Sequence, residues 1–401
     1  MTPTPLSEKE LRFLPTISAV VQGELTAPQA AARLNLSVRQ VLRLKARLRQ
    51  GGAEGLAHRS RGREAPNRLS LKERVEIEEL LRERYFDFTP THAAEKLSEV
   101  HGIHRNRKTI ARVMEDMELR VPRKRRRGEI IHRLWREPKA RFGEMLQFDG
   151  SYHAWFQERF VKEGGSHEAC LLSAIDDATG QVPLARFAAH EGILPVMGFW
   201  TEYIEKQGVP RAIYLDRFST YKMNLKEAEG YGDTLTQFER AMGELHCEVI
   251  HAHSPQAKGR VERLFQTFQD RLVKELRLAG ISNPLDGNDF LRQVFLPDFD
   301  KRFARDPFVE GDLHRPLPKT ELLFLPEILS RHDSRVLRSD FTISHETSSY
   351  QLKPTKGLAM RPKDDVEVRT YPDGSLRLFV RGKAAVFSSI PQKTRMGQPR
   401  I

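Results

Sequence analysis

The chain has 401 residues, 39% of them hydrophobic, and a formal net charge of +12, so two to four domains are expected rather than one core. It contains no run of about 18 apolar residues, which excludes a hydropathy-defined membrane span, and its start, MTPTPLSEKELRF, lacks the apolar segment of a signal peptide. Two cysteines, Cys170 and Cys247, exclude a disulfide framework and a four-thiolate zinc site, and point to a reducing cytoplasm.

The charge is unevenly placed. Residues 1–145 carry 31 Lys and Arg against 19 Asp and Glu, and the remaining residues carry 35 of each. A basic front on a neutral body suggests a polyanion-binding module ahead of a different kind of domain; a solvated basic surface is the plain alternative.

In chain order, TAPQAAARLNLSVRQVLRLKARLR (26–49) reads as helix, turn, helix. Ala30, Ala31 and Leu34 form one apolar face, Ser37 suits an N-cap, and Val38, Val41, Leu42 and Lys45 share the next inward face. Arg39, Gln40, Arg43 and Arg47 then point outward. This resembles a helix-turn-helix, whose second helix enters the major groove; Arg and Gln read base edges and Arg also grips phosphate. An ordinary αα-hairpin with a basic face is the alternative. GGAEGLAHRSRGREAPNR is broken by glycines and reads as a linker. LKERVEIEELLRERY, TPTHAAEKLSEV and NRKTIARVMEDM read as three helices, with Asn106 as a cap. In the third, Ile110, Val113, Met114 and Met117 face inward and Arg107, Lys108 and Arg112 outward, a second helix-turn-helix-like unit. Arg123, Lys124, Arg125, Arg126 and Arg127 are consecutive cations that cannot pack and are expected to bind phosphate or stay solvated.

From about 143 the texture changes. EMLQFDGSYHAWF, EACLLSAIDDATG and QVPLARFAAH read as strands; ILPVMGFWTEYIEKQGV as a helix closed by Gly208; RAIYLD as a strand; LTQFERAMGEL as a helix; CEVIHAH as a strand; and the stretch from 253 as a helix. That order is α/β with a mixed sheet. Residues 276–330 read as helical and irregular, and 335–390 as β-rich, with Asp373-Gly374 as a hairpin signal and a small SH3-like barrel as the expectation.

Three acids sit where ligands gather: Asp149 after MLQF, Asp216 at the end of AIYL, and Glu262 one turn into the helix after VIHAHSP. Val261, Leu264, Phe265, Phe268 and Leu272 recur at helical spacing, and Glu262 falls at the edge of that stripe. A lone Glu in a basic helix is ordinarily an ion-pair partner; with two further carboxylates at the same point it becomes a ligand. Hard cations such as Mg²⁺ take oxygen ligands, and two ions about 3.5–4 Å apart serve phosphoryl transfer. Asp176 and Asp177 could replace one of the acids, but DDATG reads better as a turn. His246, His251 and His253 alternate along a strand and do not make a metal face; Trp135, Trp155 and Trp200 read as core or interface residues.

LQFDGS, GVPRAIYLD and HSPQAKGRVERLFQTFQDRL, in this order, resemble the three acid motifs of the DDE transposases and retroviral integrases, and the front helices are similar to those of bacterial insertion-sequence transposases, particularly the ISNCY-type group. The resemblance covers about residues 20–330. It implies a ribonuclease-H-like core and a Mg²⁺-dependent polynucleotidyl transferase holding two ions, with Mn²⁺ able to substitute. Asp149, Asp216 and Glu262 would be the metal ligands, and Lys258, Arg260 and Arg263, with Gln256, would contact DNA near the cut. The 45 residues between Asp216 and Glu262 exceed the usual spacing, the surplus falling on YKMNLKEAEGYGDT (221–234). RFST follows Asp216 in place of the Gly found two positions on in many relatives.

The domain plan that follows is 1–55 helix-turn-helix, 56–68 linker, 69–122 second helix-turn-helix-like domain, 123–142 basic linker, 143–280 catalytic core, 281–332 helical connector, 333–390 small β-barrel and 391–401 basic tail. The expected partners are double-stranded DNA, both terminal inverted repeats and target, and further copies of the chain in a dimer or larger assembly. The expected setting is the bacterial cytoplasm, at the nucleoid and away from membranes. A non-catalytic DNA-binding regulator and a simple Mg²⁺ nuclease are the alternatives; the acid trio weighs against the first and the DNA-reading front against the second.

Overall fold

Local capping chemistry sets the N-terminal helices. Helices α1 (Glu8–Gln22), α2 (Ala27–Leu34) and α3 (Val38–Gly51) each begin with a capping box: Ser7 with Glu10, Thr26 with Gln29, and Ser37 with Gln40. Asn35 ends α2 at φ 51°, where a short polar side chain tolerates the left-handed region. The three helices enclose Ile17, Val20, Ala30, Ala31, Val41 and Leu56. Sequence reading missed α1 and put Leu42 and Val38 inside. Both are exposed, at 51% and 42%, and Leu44 and Leu48 pack against the cluster in their stead. Val41 alone of the expected face is fully buried because α1 enters from its side.

In the computed structural model the described residues are 6–57, 68–120, 137–162, 164–216, 234–252 and 259–390. The chain forms two compact units, Met1–Leu80 and Leu81–Ile401, and α4 (Leu71–Glu83) contains the boundary. Helices α5 (Pro90–His101) and α6 (Arg107–Asp116) lie in the second unit; α6 is capped by Asn106, and its Ile110, Val113 and Met114 are buried as expected.

The second unit is built on a five-stranded sheet in the order β3-β2-β1-β4-β5, from β1 (Leu146–His153), β2 (Ala169–Asp176), β3 (Leu184–Ala188), β4 (Ala212–Asp216) and β5 (Glu248–Ala252). β1, β2 and β3 pair antiparallel, while β4 is parallel to β1 and to β5, which is the mixed sheet expected. Leu146, Phe148, Leu172 and Leu215 of one face pack with α7 (Ile193–Gln207) and α8 (Thr234–Glu244) through Trp200, Tyr203, Phe238 and Met242. The other face is covered by α9 (Gly259–Leu278), whose Val261, Leu264, Phe265, Phe268 and Leu272 pack with Leu171, Ile175 and Phe187. Trp155 and Trp200 are core residues; Trp135 lies outside the described residues.

α10 (Pro284–Phe290), a π-helical turn at Leu291–Phe295 and α11 (Leu296–Phe303) follow, then the short α12 (Lys319–Leu322) and α13 (Leu325–Ile328). α5 docks on α9 and α11 through charge: Arg271 makes a two-pronged bond to Glu95 at 2.7 and 3.1 Å, Arg302 reaches Glu95 and Glu99, and Glu275 accepts from His92 and pairs with Lys96.

The β-rich segment beyond contains β6 (Arg331–Val336), β7 (Thr342–His345), β8 (Ser348–Leu352), β9 (Asp365–Thr370), β10 (Leu376–Val380), β11 (Lys383–Ala385) and β12 (Phe387–Ile390). β9 and β10 form the hairpin signalled by Asp373-Gly374, with Gly374 at φ 82°. No closed barrel is found among the described residues. Among the described residues these strands make two open sheets, β11-β10-β9-β6 and β12-β8-β7, over one core of Leu337, Ile343, Leu352, Val366, Val368, Leu378 and Val380. Alternating burial reports that each sheet has an inner face; it does not report whether the edges join.

Candidate active site

Strand alternation places the first acid. Leu146 and Phe148 belong to the core under α7 and α8, so Gln147 and Asp149 take the opposite face, the one covered by α9. Asp149 is half-buried there. The residue after it must be small: a Cβ on Gly150 would stand 2.5 Å from the carboxylate oxygen Oε2 of Glu191, itself only 7% exposed.

Asp216 is the last residue of β4; its side chain lies outside the described residues. β1 and β4 pair through Leu146 with Ile213 and Gln147 with Tyr214, and each acid follows the second of these pairs by two residues on its own strand. Glu262 stands in the first turn of α9 and is exposed. Among the described residues no three His, Cys, Asp or Glu side chains cluster at metal-ligating range.

Asp176 ends β2 and Asp177 opens the turn expected after it, but both are completely buried. Asp176 accepts from the backbone N–H groups of Gly143 and Thr179 and from the Thr179 hydroxyl. Burial pushes its carboxyl up, and those bonds offset only part of that. Asp177 accepts from Lys139 N–H at 2.8 Å and from the Gln147 amide at 2.8 Å, and it pairs with Arg260 Nε at 3.0 Å. Gln147 in turn accepts from the N–H of Val261. Arg260, expected on DNA phosphate, thus has its Nε on a buried carboxylate. Gln147 was missed in the sequence reading; the signal was available, since a polar residue two places from Asp149 in an apolar strand shares its face.

Among the other expected DNA contacts, Arg39, Arg43, Arg107, Lys108, Arg112 and Arg263 are exposed. Gln40 is exposed too, but its side-chain oxygen serves the Ser37 capping box. Arg47 donates to the Ala57 carbonyl, within its own unit. Gln256, Lys258, His253 and Arg123 to Arg127 lie outside the described residues. His251 bonds Glu239 at 2.6 Å, and His246 precedes β5 at φ 54°. No helix among the described residues is long and apolar enough to cross a membrane.

Residues 16–64 match the family described as Helix-turn-helix domain. Among solved structures, the chain is similar to a simian T-cell lymphotropic virus intasome in complex with PP2A regulatory subunit B56 gamma, at 12% identity over 79% of this chain and 100% of that one, with a TM-score of 0.34. It is also similar to the HTLV-2 integrase catalytic core domain in complex with magnesium, at 16% identity over 38% of this chain and 87% of that one, with a TM-score of 0.27. Likeness at those scores bears on neither fold nor chemistry. The sequence relatives are far nearer. The "Transposase for insertion sequence IS1202" of Streptococcus pneumoniae is 28% identical over 87% of this chain and 81% of its own length. The "Putative transposase y4bF" of Sinorhizobium fredii (strain NBRC 101917 / NGR234) is 40% identical over 99% of this chain and 84% of its own length. With that identity held along nearly the whole chain, the protein belongs to their transposase family.

Proposed function

We propose that the chain is a Mg²⁺-dependent DNA transposase that binds the terminal inverted repeats of an insertion sequence, cleaves the element ends and joins the freed 3′-OH to target DNA. What supports this reading is the placement of the elements that bear the acids: Asp149 lies on the α9 side of β1, Glu262 in the first turn of α9, and Asp216 at the end of β4, the strand paired with β1. The strand order and the mixed pairing support a ribonuclease-H-like core.

Carboxylate oxygens on a half-buried strand residue, Asp149, and at an exposed helix start, Glu262, are donors suited to a hard cation. Bound by Asp149, Asp216 and Glu262, Mg²⁺ would supply activation of the attacking oxygen and stabilisation of the leaving one. The chain's own residues do the rest. Arg263, exposed beside Glu262, and Lys258 neutralise the phosphate that approaches three acids. Arg39 and Arg43 on α3 and Arg107, Lys108 and Arg112 on α6 hold the element end, and Arg123 to Arg127 track its backbone. Two ends joined in one event require at least a dimer on DNA, acting in the cytoplasm at the nucleoid.

Asp149→Asn, Asp216→Asn and Glu262→Gln test this. Each is expected to abolish cleavage and strand transfer on a cognate end while leaving end binding nearly intact. Near-wild-type cleavage by any one of them removes that residue from the trio. A wild-type protein that binds ends and cuts nothing with Mg²⁺ or Mn²⁺ would make the chain a regulator.

A further inference from the structure

Two polar side chains are sealed beneath the first turn of α9. Gln147 is 1% exposed and Asp177 fully buried. Burying such groups is costly unless they are bonded, and each is. Asp177 holds Lys139 N–H, the Gln147 amide and Arg260 Nε. Gln147 uses its remaining oxygen on Val261 N–H at 3.3 Å. That N–H belongs to a helix's first turn, where backbone donors have no partner within the helix.

Two links from one buried carboxylate therefore end on consecutive residues, Arg260 directly and Val261 through Gln147. The next residue is Glu262. At the other end, Gln147 is two positions from Asp149 on the same face of β1. The network ties the strand bearing one proposed ligand to the turn bearing another.

Docking of α9 does not need it. Val261, Leu264, Phe265, Phe268 and Leu272 already bury the helix against the sheet, and apolar residues of similar volume often replace a buried ion pair without loss of stability. What greasy packing does not supply is direction: it lets a helix turn or slide slightly, whereas hydrogen bonds at consecutive residues fix its rotation and height.

We propose that Asp177, Gln147 and Arg260 are positioning residues that set where the Glu262 carboxylate stands relative to Asp149. This rests on the catalytic reading above and gives Arg260 a structural task in place of phosphate binding.

The test uses full-length Gln147→Met, which keeps length and loses both bonds, with Asp177→Asn as a second variant should the first fail to fold, and the pair Arg260→Ala and Arg260→Lys. Amide exchange of the α9 first turn is measured in metal-free protein, and Mn²⁺ binding by calorimetry. Exchange at the first turn is expected to rise at least about tenfold while the Phe268–Leu272 turns stay protected, and Mn²⁺ affinity to fall by about 10–100-fold, the usual effect of losing a residue that orients metal ligands. Strand transfer should need correspondingly more Mn²⁺ and recover in part at saturation, with Arg260→Lys milder than Arg260→Ala. Folded variants with wild-type exchange and wild-type Mn²⁺ affinity would overturn the proposal. Glu262→Gln separates the two ideas. If it abolishes Mn²⁺ binding and strand transfer while Gln147→Met or Asp177→Asn alters neither exchange nor binding, only the positioning role falls; if Glu262→Gln leaves both intact, the catalytic reading falls with it.

Discussion

Replacing Glu275 by Ala should loosen α5 from α9. Its carboxylate accepts from His92 Nε2 and from Lys96 Nζ, both at 2.8 Å, with side-chain exposures of 1% for His92 and 16% for Lys96 and Glu275. Burial pushes the Glu275 carboxyl up, but the bonds from His92 and Lys96 outweigh it and hold the group below the usual carboxylate range. Removing one partner of a fully buried pair costs roughly 3–5 kcal/mol; with this site partly open, about 2–3 kcal/mol is expected. Glu275→Gln keeps an acceptor for one donor and should cost about 1 kcal/mol. Arg292→Ala is the contrast: its pairing with Asp289 is 54% and 62% exposed, where such pairs are worth roughly 0–1 kcal/mol. The assay is amide exchange resolved over α5 and α9, with a double-mutant cycle of His92→Leu and Glu275→Leu to isolate the pair. Glu275→Ala with unchanged α5 exchange and a stability loss under about 0.5 kcal/mol, the ordinary level for an exposed surface change, would refute the view that this charged seam holds α5 in place.

Gly150→Ala drives a Cβ to 2.5 Å from Glu191 Oε2; overpacking of this kind costs about 1–3 kcal/mol, and denaturant unfolding should register it together with a loss of cleavage, because Asp149 is the adjacent residue. Asp300, half-buried and accepting from Val182 N–H, has its carboxyl pushed up to about 6 by loss of hydration. A raised carboxyl favours the folded state at low pH and loses that advantage as pH rises from about 4 to about 6. Asp300→Asn should flatten that fall and be the more stable protein at pH 7 by at most about 3 kcal/mol; equal pH profiles of unfolding would contradict it. Arg39→Ala or Arg43→Ala should reduce discrimination between element ends and random DNA in binding assays, whereas neutralising Arg123 to Arg127 should weaken both about equally and flatten the salt dependence; a mutant pair behaving the opposite way would reverse those assignments.

Periodicity and turn chemistry are local, and what depends on them was legible in the sequence. The five core strands, α7, α8 and α9 follow from runs of apolar residues whose period their own backbones impose, and Asn106, Ser37 and Asp373-Gly374 mark ends and turns through bonds within three residues. The motifs around Asp149, Asp216 and Glu262 carried the family. The inner face of α3 did not follow: Leu42 is as apolar as Leu44, and only the arrival of α1 decides which of them is covered. Nor did the joining of the C-terminal sheets, because strand edges meet through backbone groups that every residue shares. The docking of α5 was not legible either, since nothing in His92, Glu95, Lys96 and Glu99 says that α9 and α11 present the opposite charges. Gln147 was passed over, and Asp177 was read only as a turn residue. Their partners lie 114 and 83 residues further on, at Val261 and Arg260, and a bond across that span exists only once packing has brought β1, the β2 turn and the start of α9 to one point.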